Sequence, residues 1–168
     1  APDMLRAGDY SIALETTLPL QNYANETVTK FTGLLKLEDG NTKDSIVGTD
    51  GADTITGTSG AEVIMSGAGK DTISTGGGAD IIILAAGTGS TVLANSNTVS
   101  DFTDGTDTFA LDSSLTLAAA FAELTVAADA TTAADTVISK GTEYLMTVTG
   151  VAYGDITVAD FVLASDIA

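Results

Sequence analysis

The chain has 168 residues, of which 23 are acidic and 6 basic, for a net charge of −17. That length accommodates one domain with modest appendages, and a field of that sign repels nucleic acid and anionic membrane surfaces while attracting cations. The sequence contains no histidine and no cysteine, which excludes disulfides, HExxH zinc chemistry and the Ser-His-Asp and Cys-His arrangements, and no apolar run approaches the roughly 18–20 residues of a transmembrane helix.

Residues 1–38 carry no clear period. Between Ser11 and Leu18, the residues Ile12, Leu14 and Leu18 alternate roughly with polar ones, which predicts a strand. Val28, Phe31, Leu34 and Leu35 follow at helical spacing with Asn25 as N-cap, which predicts a short helix.

From position 39 the chain reads in nines: DGNTKDSIV, GTDGADTIT, GTSGAEVIM, SGAGKDTIS and TGGGADIII. Ile46, Ile55, Ile64, Ile73 and Ile82 recur at the eighth place, and Asp44, Asp53, Glu62, Asp71 and Asp80 at the sixth. Glycine crowds the first four places, so each unit is a turn followed by a three-residue strand. Strands that short need stacked neighbours, and the expected architecture is a solenoid.

Beside the inward isoleucine, alternate units carry Ser45/Val47, Val63/Met65 and Ile81/Ile83, whereas the units between carry Thr54/Thr56 and Thr72/Ser74. One sheet should therefore present an apolar stripe and the other a threonine-serine row. The chain's own terminal segments are the first expected cover for the stripe, and a neighbouring subunit the second.

Residues 84–97 read as a degenerating last coil or connector. VSDFTDGTDTFALD then predicts two short strands around the Asp104-Gly105 turn, and alanine-rich Leu115 to Leu124 a helix capped by Ser114. Thr136–Ser139 and Tyr144–Val148 form a hairpin across Lys140-Gly141, and ITVADFVL supplies a final strand or edge.

The nonapeptides resemble the RTX family of type I secreted bacterial proteins, over about 45 residues. TVSDFTDGTDTFALD resembles the element that follows such repeats, and ADFVLASDIA their terminal export signal. The resemblance implies an all-β, right-handed parallel β-roll, with β-rich flanks and one or two short helices, in which calcium lies between the turns of repeats n and n+2. It pairs Asp53 with Asp71, Glu62 with Asp80, and Asp44 with Glu62, and Asp50 adds a further oxygen. The turn glycines Gly48, Gly51, Gly57, Gly67, Gly69, Gly76 and Gly78 complete the expected site. Calcium is a hard cation that takes six to eight oxygens, roughly 2.3–2.6 Å away, and glycine turns let several backbone carbonyls point into one concavity. The first pairing keeps the fourth-place glycine and the sixth-place aspartate in both turns; the third has Thr42 where glycine is expected.

The expected organisation is an N-terminal segment over 1–38, a calcium-binding roll over 39–92 and a β-rich cap over 93–168. The expected protein is not an enzyme. It is a secreted, extracellular or cell-surface bacterial protein that binds calcium, uses a type I secretion apparatus and assembles with itself as a filament or surface-layer subunit. The alternative is the calcium-folding and export module of a larger secreted enzyme or adhesin.

Overall fold

The structure is a computed structural model and describes residues 33–36 and 42–167. The strand predicted between Ser11 and Leu18 lies outside them, as does most of the predicted helix. Leu34 and Leu35, placed in that helix by their spacing, belong instead to strand β1 (Gly33–Lys36), which pairs antiparallel with β2 (Thr42–Val47). Backbone pairing to the roll overrides local helical periodicity there.

The repeats alternate between two sheets. β2, β4 (Glu62–Met65) and β6 (Ile81–Leu84) stack in parallel in one sheet, and β3 (Thr54–Thr56) and β5 (Thr72–Ser74) in the other. Isoleucines two repeats apart lie opposite each other, Ile46 against Ile64, Ile64 against Ile82 and Ile55 against Ile73. All five are buried. Burying one isoleucine contributes about 2 kcal/mol, a fraction of what fixing nine backbone residues costs. A single coil therefore cannot hold itself.

The roll continues past the repeats. β7 (Asn97–Val99) extends the second sheet and β8 (Thr108–Leu111) the first, so Val99 stacks on Ile73 and Phe109 on Ile82. The two strands predicted around Asp104-Gly105 are both present, but they join different sheets instead of pairing with each other. β12 (Phe161–Leu163) closes the first sheet beside β8, in the order β1-β2-β4-β6-β8-β12. The second runs β3-β5-β7-β11-β10-β9, through β11 (Glu143–Val148), β10 (Thr136–Lys140) and β9 (Leu124–Ala128). β10 and β11 form the hairpin expected across Lys140-Gly141.

The predicted helix is shorter than its alanine content suggests. α1 spans Leu117–Phe121, its N-cap is Thr116, and Leu124, the last residue of the predicted helix, opens β9. β9 pairs along β10 over five residues, so sheet hydrogen bonds outweigh the helix propensity of alanine there. Phe102 stacks on Phe109 at 4.5 Å, and Phe161 meets both Phe109 and Phe121, so aromatic rings fill the widened end of the roll.

The apolar stripe is partly covered by the chain itself. Val63, Ile81 and Ala110 form a second buried cluster on the outer face of the first sheet, with Val162, Ala164 and Ile167 packed against it. Val47 and Met65 remain 37% and 38% exposed and line a groove of about 340 Å³ with Ile83, Ala85 and Thr88. On the opposite sheet Thr54, Thr56 and Thr72 face solvent.

Candidate metal centre

The sixth-place acids line the two edges of the roll, where each turn enters its strand. The backbone N–H of Asp53 donates to Asp71 Oδ1 at 3.0 Å, and the N–H of Glu62 donates to Asp80 Oδ1 at 2.8 Å. Asp53 with Asp71, and Glu62 with Asp80, are thus brought together between repeats n and n+2. Asp44 lies within β2, opposite Glu62 in the strand register. Asp50 is exposed at the tip of its turn.

The four turns close in two ways. In 48–53 and 57–62 the second residue is threonine and bonds the acid of its own turn. Thr49 donates its N–H to Asp53 Oδ2 at 2.6 Å and its hydroxyl to the same oxygen at 2.9 Å. Thr58 donates its N–H to Glu62 Oε2 at 3.0 Å, and its hydroxyl to Oε1. In 66–71 and 75–80 the second and fourth residues are glycines with φ of +90° and +117°. The oxygens Asp71 Oδ2 and Asp80 Oδ2 are buried there without a hydrogen-bond partner.

Close stacking makes those glycines necessary. A Cβ on Gly67 would lie 2.0 Å from the carbonyl oxygen of Thr49, one on Gly69 2.5 Å from that of Gly51, and one on Gly76 2.0 Å from that of Thr58. The same holds for Gly78 against Gly60, Gly48 against Ser66, and Gly57 against Thr75. Backbone carbonyls therefore crowd each edge beside the partnerless carboxylate oxygens.

The carboxyls of Asp71 and Asp80 are each pushed up from 3.8 to about 6. Burial is the main cause in both. The hydrogen bonds from the N–H of Asp53 and of Glu62 oppose it, and neighbouring carboxylates add to it: Asp53 beside Asp71, and Asp107 and Glu62 beside Asp80. A buried anion with an unsatisfied oxygen is costly unless a proton or a cation neutralises it.

Among the described residues no three acidic, histidine or cysteine side chains converge as a cluster of their own. An ion on these edges would take most of its oxygens from backbone carbonyls and its neutralising charge from the acids. That donor set, all oxygen with few carboxylates, fits a hard divalent cation.

Three residues of these edges lie beyond the repeats and escaped the sequence reading. Asn97 Oδ1 accepts from the N–H of Asp71 at 2.9 Å, and Asp107 Oδ1 from the N–H of Asp80 at 3.0 Å. Asp101 accepts from Ser74 Oγ and from the N–H groups of Thr75 and Gly76. Burial works against the Asp101 charge, but the bonds from Ser74, Gly76 and Thr75 outweigh it and hold its carboxyl below the usual range. A signal for Asp107 existed, since it falls 27 residues after Asp80, a multiple of nine.

The family model of the RTX calcium-binding nonapeptide repeat matches residues 38–73 and 56–90. Among solved structures, one similar chain is the AlgE6R3 subunit of the Azotobacter vinelandii mannuronan C5-epimerase. It is 18% identical with a TM-score of 0.51, and the match covers 75% of this chain and 76% of that one, a likeness of fold. No curated protein sequence matches the chain significantly.

Proposed function

From the premise that this chain carries RTX calcium-binding nonapeptide repeats, which bind calcium, we propose that it is a secreted bacterial protein whose roll is completed by extracellular calcium and which serves as a structural, self-assembling subunit of a filament or surface layer. The observation that carries the calcium part is the pair of buried, partnerless oxygens, Asp71 Oδ2 and Asp80 Oδ2, beside stacked glycine turns. Asp71 with Asp53, and Asp80 with Glu62, would hold the ions, together with carbonyls of the turns at Gly48, Gly51, Gly57, Gly67, Gly69, Gly76 and Gly78. Bound calcium supplies the positive charge that these buried acids lack.

Calcium binding is then coupled to folding. Without the ion the stacked acids repel one another, and free calcium at about 100 times its dissociation constant would add roughly 2.7 kcal/mol per site. A chain that stays open at low calcium and closes outside the cell suits passage through a type I secretion channel. RTX repeat proteins are typically exported bacterial proteins, which supports this localisation. Among the described residues no helix is long and apolar enough to cross a membrane.

The assembly part rests on Val47 and Met65, which remain partly exposed on a sheet where Ile83, Val162, Ala164 and Ile167 pack against the buried Val63, Ile81 and Ala110. The proposed division is an N-terminal segment over 1–38, a roll over 39–92 and a cap over 93–168; the unbroken run Ile46-Ile64-Ile82-Phe109-Phe161 favours a cap fused to the roll. No catalytic role is proposed.

A second reading is a calcium-folding module of a longer secreted enzyme or adhesin, favoured by the likeness to a subunit of an epimerase. Sedimentation velocity in chelator and in millimolar calcium separates the two. Polymers that appear only with calcium support the assembly subunit, and a monomer in both conditions supports the module.

A further inference from the structure

The two edges of the roll end differently. One stacks Asp53, Asp71 and then Asn97; the other stacks Glu62, Asp80 and then Asp107. Asp107 occupies the same place in its coil as Asp80 does in the one before, because Thr108 pairs with Ile81 just as Ile81 pairs with Val63. The chain between Asp80 and Asp107 departs from the nonapeptide pattern, yet the sixth-place register is kept across it.

What the third place holds decides the charge of each edge. Asn97 is neutral, and its Nδ2 donates to Ser66 Oγ at 3.3 Å. Asp107 carries a carboxyl group, 2% exposed, whose Oδ1 accepts from the N–H of Asp80, itself 1% exposed. Glu62, also buried, completes a column of three acids. Among the described residues the salt bridge formed is Lys140 with Glu123, remote from this column.

The Asp80 oxygen is left over for a specific reason. In 48–53, 57–62 and 101–107 the acid that ends the turn accepts an N–H of that turn, from Thr49, Thr58 and Thr103. In 75–80 the equivalent N–H, that of Gly76, goes to Asp101 Oδ2 at 3.0 Å. Both oxygens of Asp101 are occupied by Ser74, Thr75 and Gly76, and the hydroxyl of buried Thr75 reaches Asp101 at 3.1 Å and Asp107 at 3.5 Å. The turn 101–107 is thereby fastened to the last repeat turn, and Asp80 Oδ2 remains buried and partnerless.

We propose that the last repeat turn, 75–80, and the non-repeat turn, 101–107, form an additional calcium position held by Asp80 and Asp107, so that this edge takes one ion more than the edge ending in Asn97. The inference rests on the calcium reading of the repeats. Glu62 and Asp80 are stacked in the same register one level down, and the partnerless Asp80 Oδ2 is common to both levels, so the Asp80 carboxylate would bridge the two ions. A cation there would neutralise a column that forms no salt bridge with a basic side chain among the described residues.

The test is the number of calcium ions bound by the full chain, counted by native mass spectrometry and by isothermal titration calorimetry. D107N should bind one ion fewer than the wild type while keeping the Oδ1 acceptor for Asp80, since Asn97 makes that same bond on the other edge. N97D should bind one ion more, and it decides the matter if D107N fails to fold. An unchanged count in the variant that folds overturns the extra position and leaves the repeat sites standing. A wild type that binds no calcium at millimolar concentration overturns the calcium reading itself, and this inference with it.

Discussion

The backbone N–H of Asp80 donates to the carboxylate of Asp107, 27 residues further along the chain, at 3.0 Å. The same bond joins Glu62 to Asp80 across 18 residues. A ladder laid down by the repeats is therefore completed by residues outside them, and the repeat roll is continuous with its cap.

Asp71 and Asp53 are expected to differ in consequence although they share a place in the repeat. Asp71→Asn keeps an acceptor for the Asp53 N–H but removes the charge beside a free oxygen. The calcium needed for folding should rise by about tenfold or more, equivalent to about 1.4 kcal/mol. Asp53→Asn should shift it less, because Thr49 already holds that carboxylate. Calcium titrations followed by circular dichroism compare the two.

Glycines of one turn separate strain from mere presence in a repeat. Gly76→Ala places a Cβ 2.0 Å from the carbonyl oxygen of Thr58 at φ +90°, and should cost at least about 1–3 kcal/mol. At the neighbouring Gly77, a Cβ would meet nothing closer than 3.9 Å. Gly77→Ala should be nearly neutral, within about 0.5 kcal/mol. Thermal melting in saturating calcium checks both.

The raised carboxyls of Asp71 and Asp80, each about 6 against an ordinary 3.8, give a pH dependence with a definite sign. Between those values the folded, calcium-free chain binds more protons than the unfolded one, so its stability rises as pH falls from about 7 towards 4. Chelated protein should be more structured at pH 5 than at pH 8. Calcium and protons compete for the same oxygens, so apparent calcium affinity should fall as pH drops below about 6. Denaturant melts at the two pH values, with and without calcium, measure this.

The outer face of the first sheet gives a contrast between neighbours on one strand. Val63→Lys buries a charge among Ile81, Ala110 and Val162 and should destabilise the monomer by more than about 2 kcal/mol. Met65→Lys, at a half-open position, should leave the melting temperature nearly unchanged and abolish any calcium-dependent polymer. Polymer formation by Met65→Lys equal to wild type would free this face from the assembly role.

The repeat was the most legible part of the chain, because the isoleucine period and the acid two places before it fix both the inward face and the edge. The n to n+2 relation of Asp53 with Asp71 and of Glu62 with Asp80 comes from the resemblance to the RTX family, in which two nonapeptides make one coil, and not from the period alone. The difference between threonine and glycine at the second place was visible in the letters, but its consequence was not. Only the folded turn shows that Thr49 and Thr58 satisfy their own acids while Gly67 and Gly76 leave theirs free. Asn97 was hidden because the chain between coils loses its nonapeptide pattern while the ladder keeps its register, and the only mark left on Asp107 is its spacing of 27 from Asp80. Likewise, local propensity over-extended α1, since nothing in residues 122–128 reveals that β10 lies alongside.

Far-ultraviolet circular dichroism of the full chain, first in chelator and then titrated with calcium, reads whether the roll folds around calcium. The expected result is a cooperative gain of β signal with calcium that magnesium, with its smaller and stricter coordination shell, fails to reproduce. An identical spectrum in chelator and in millimolar calcium would contradict it.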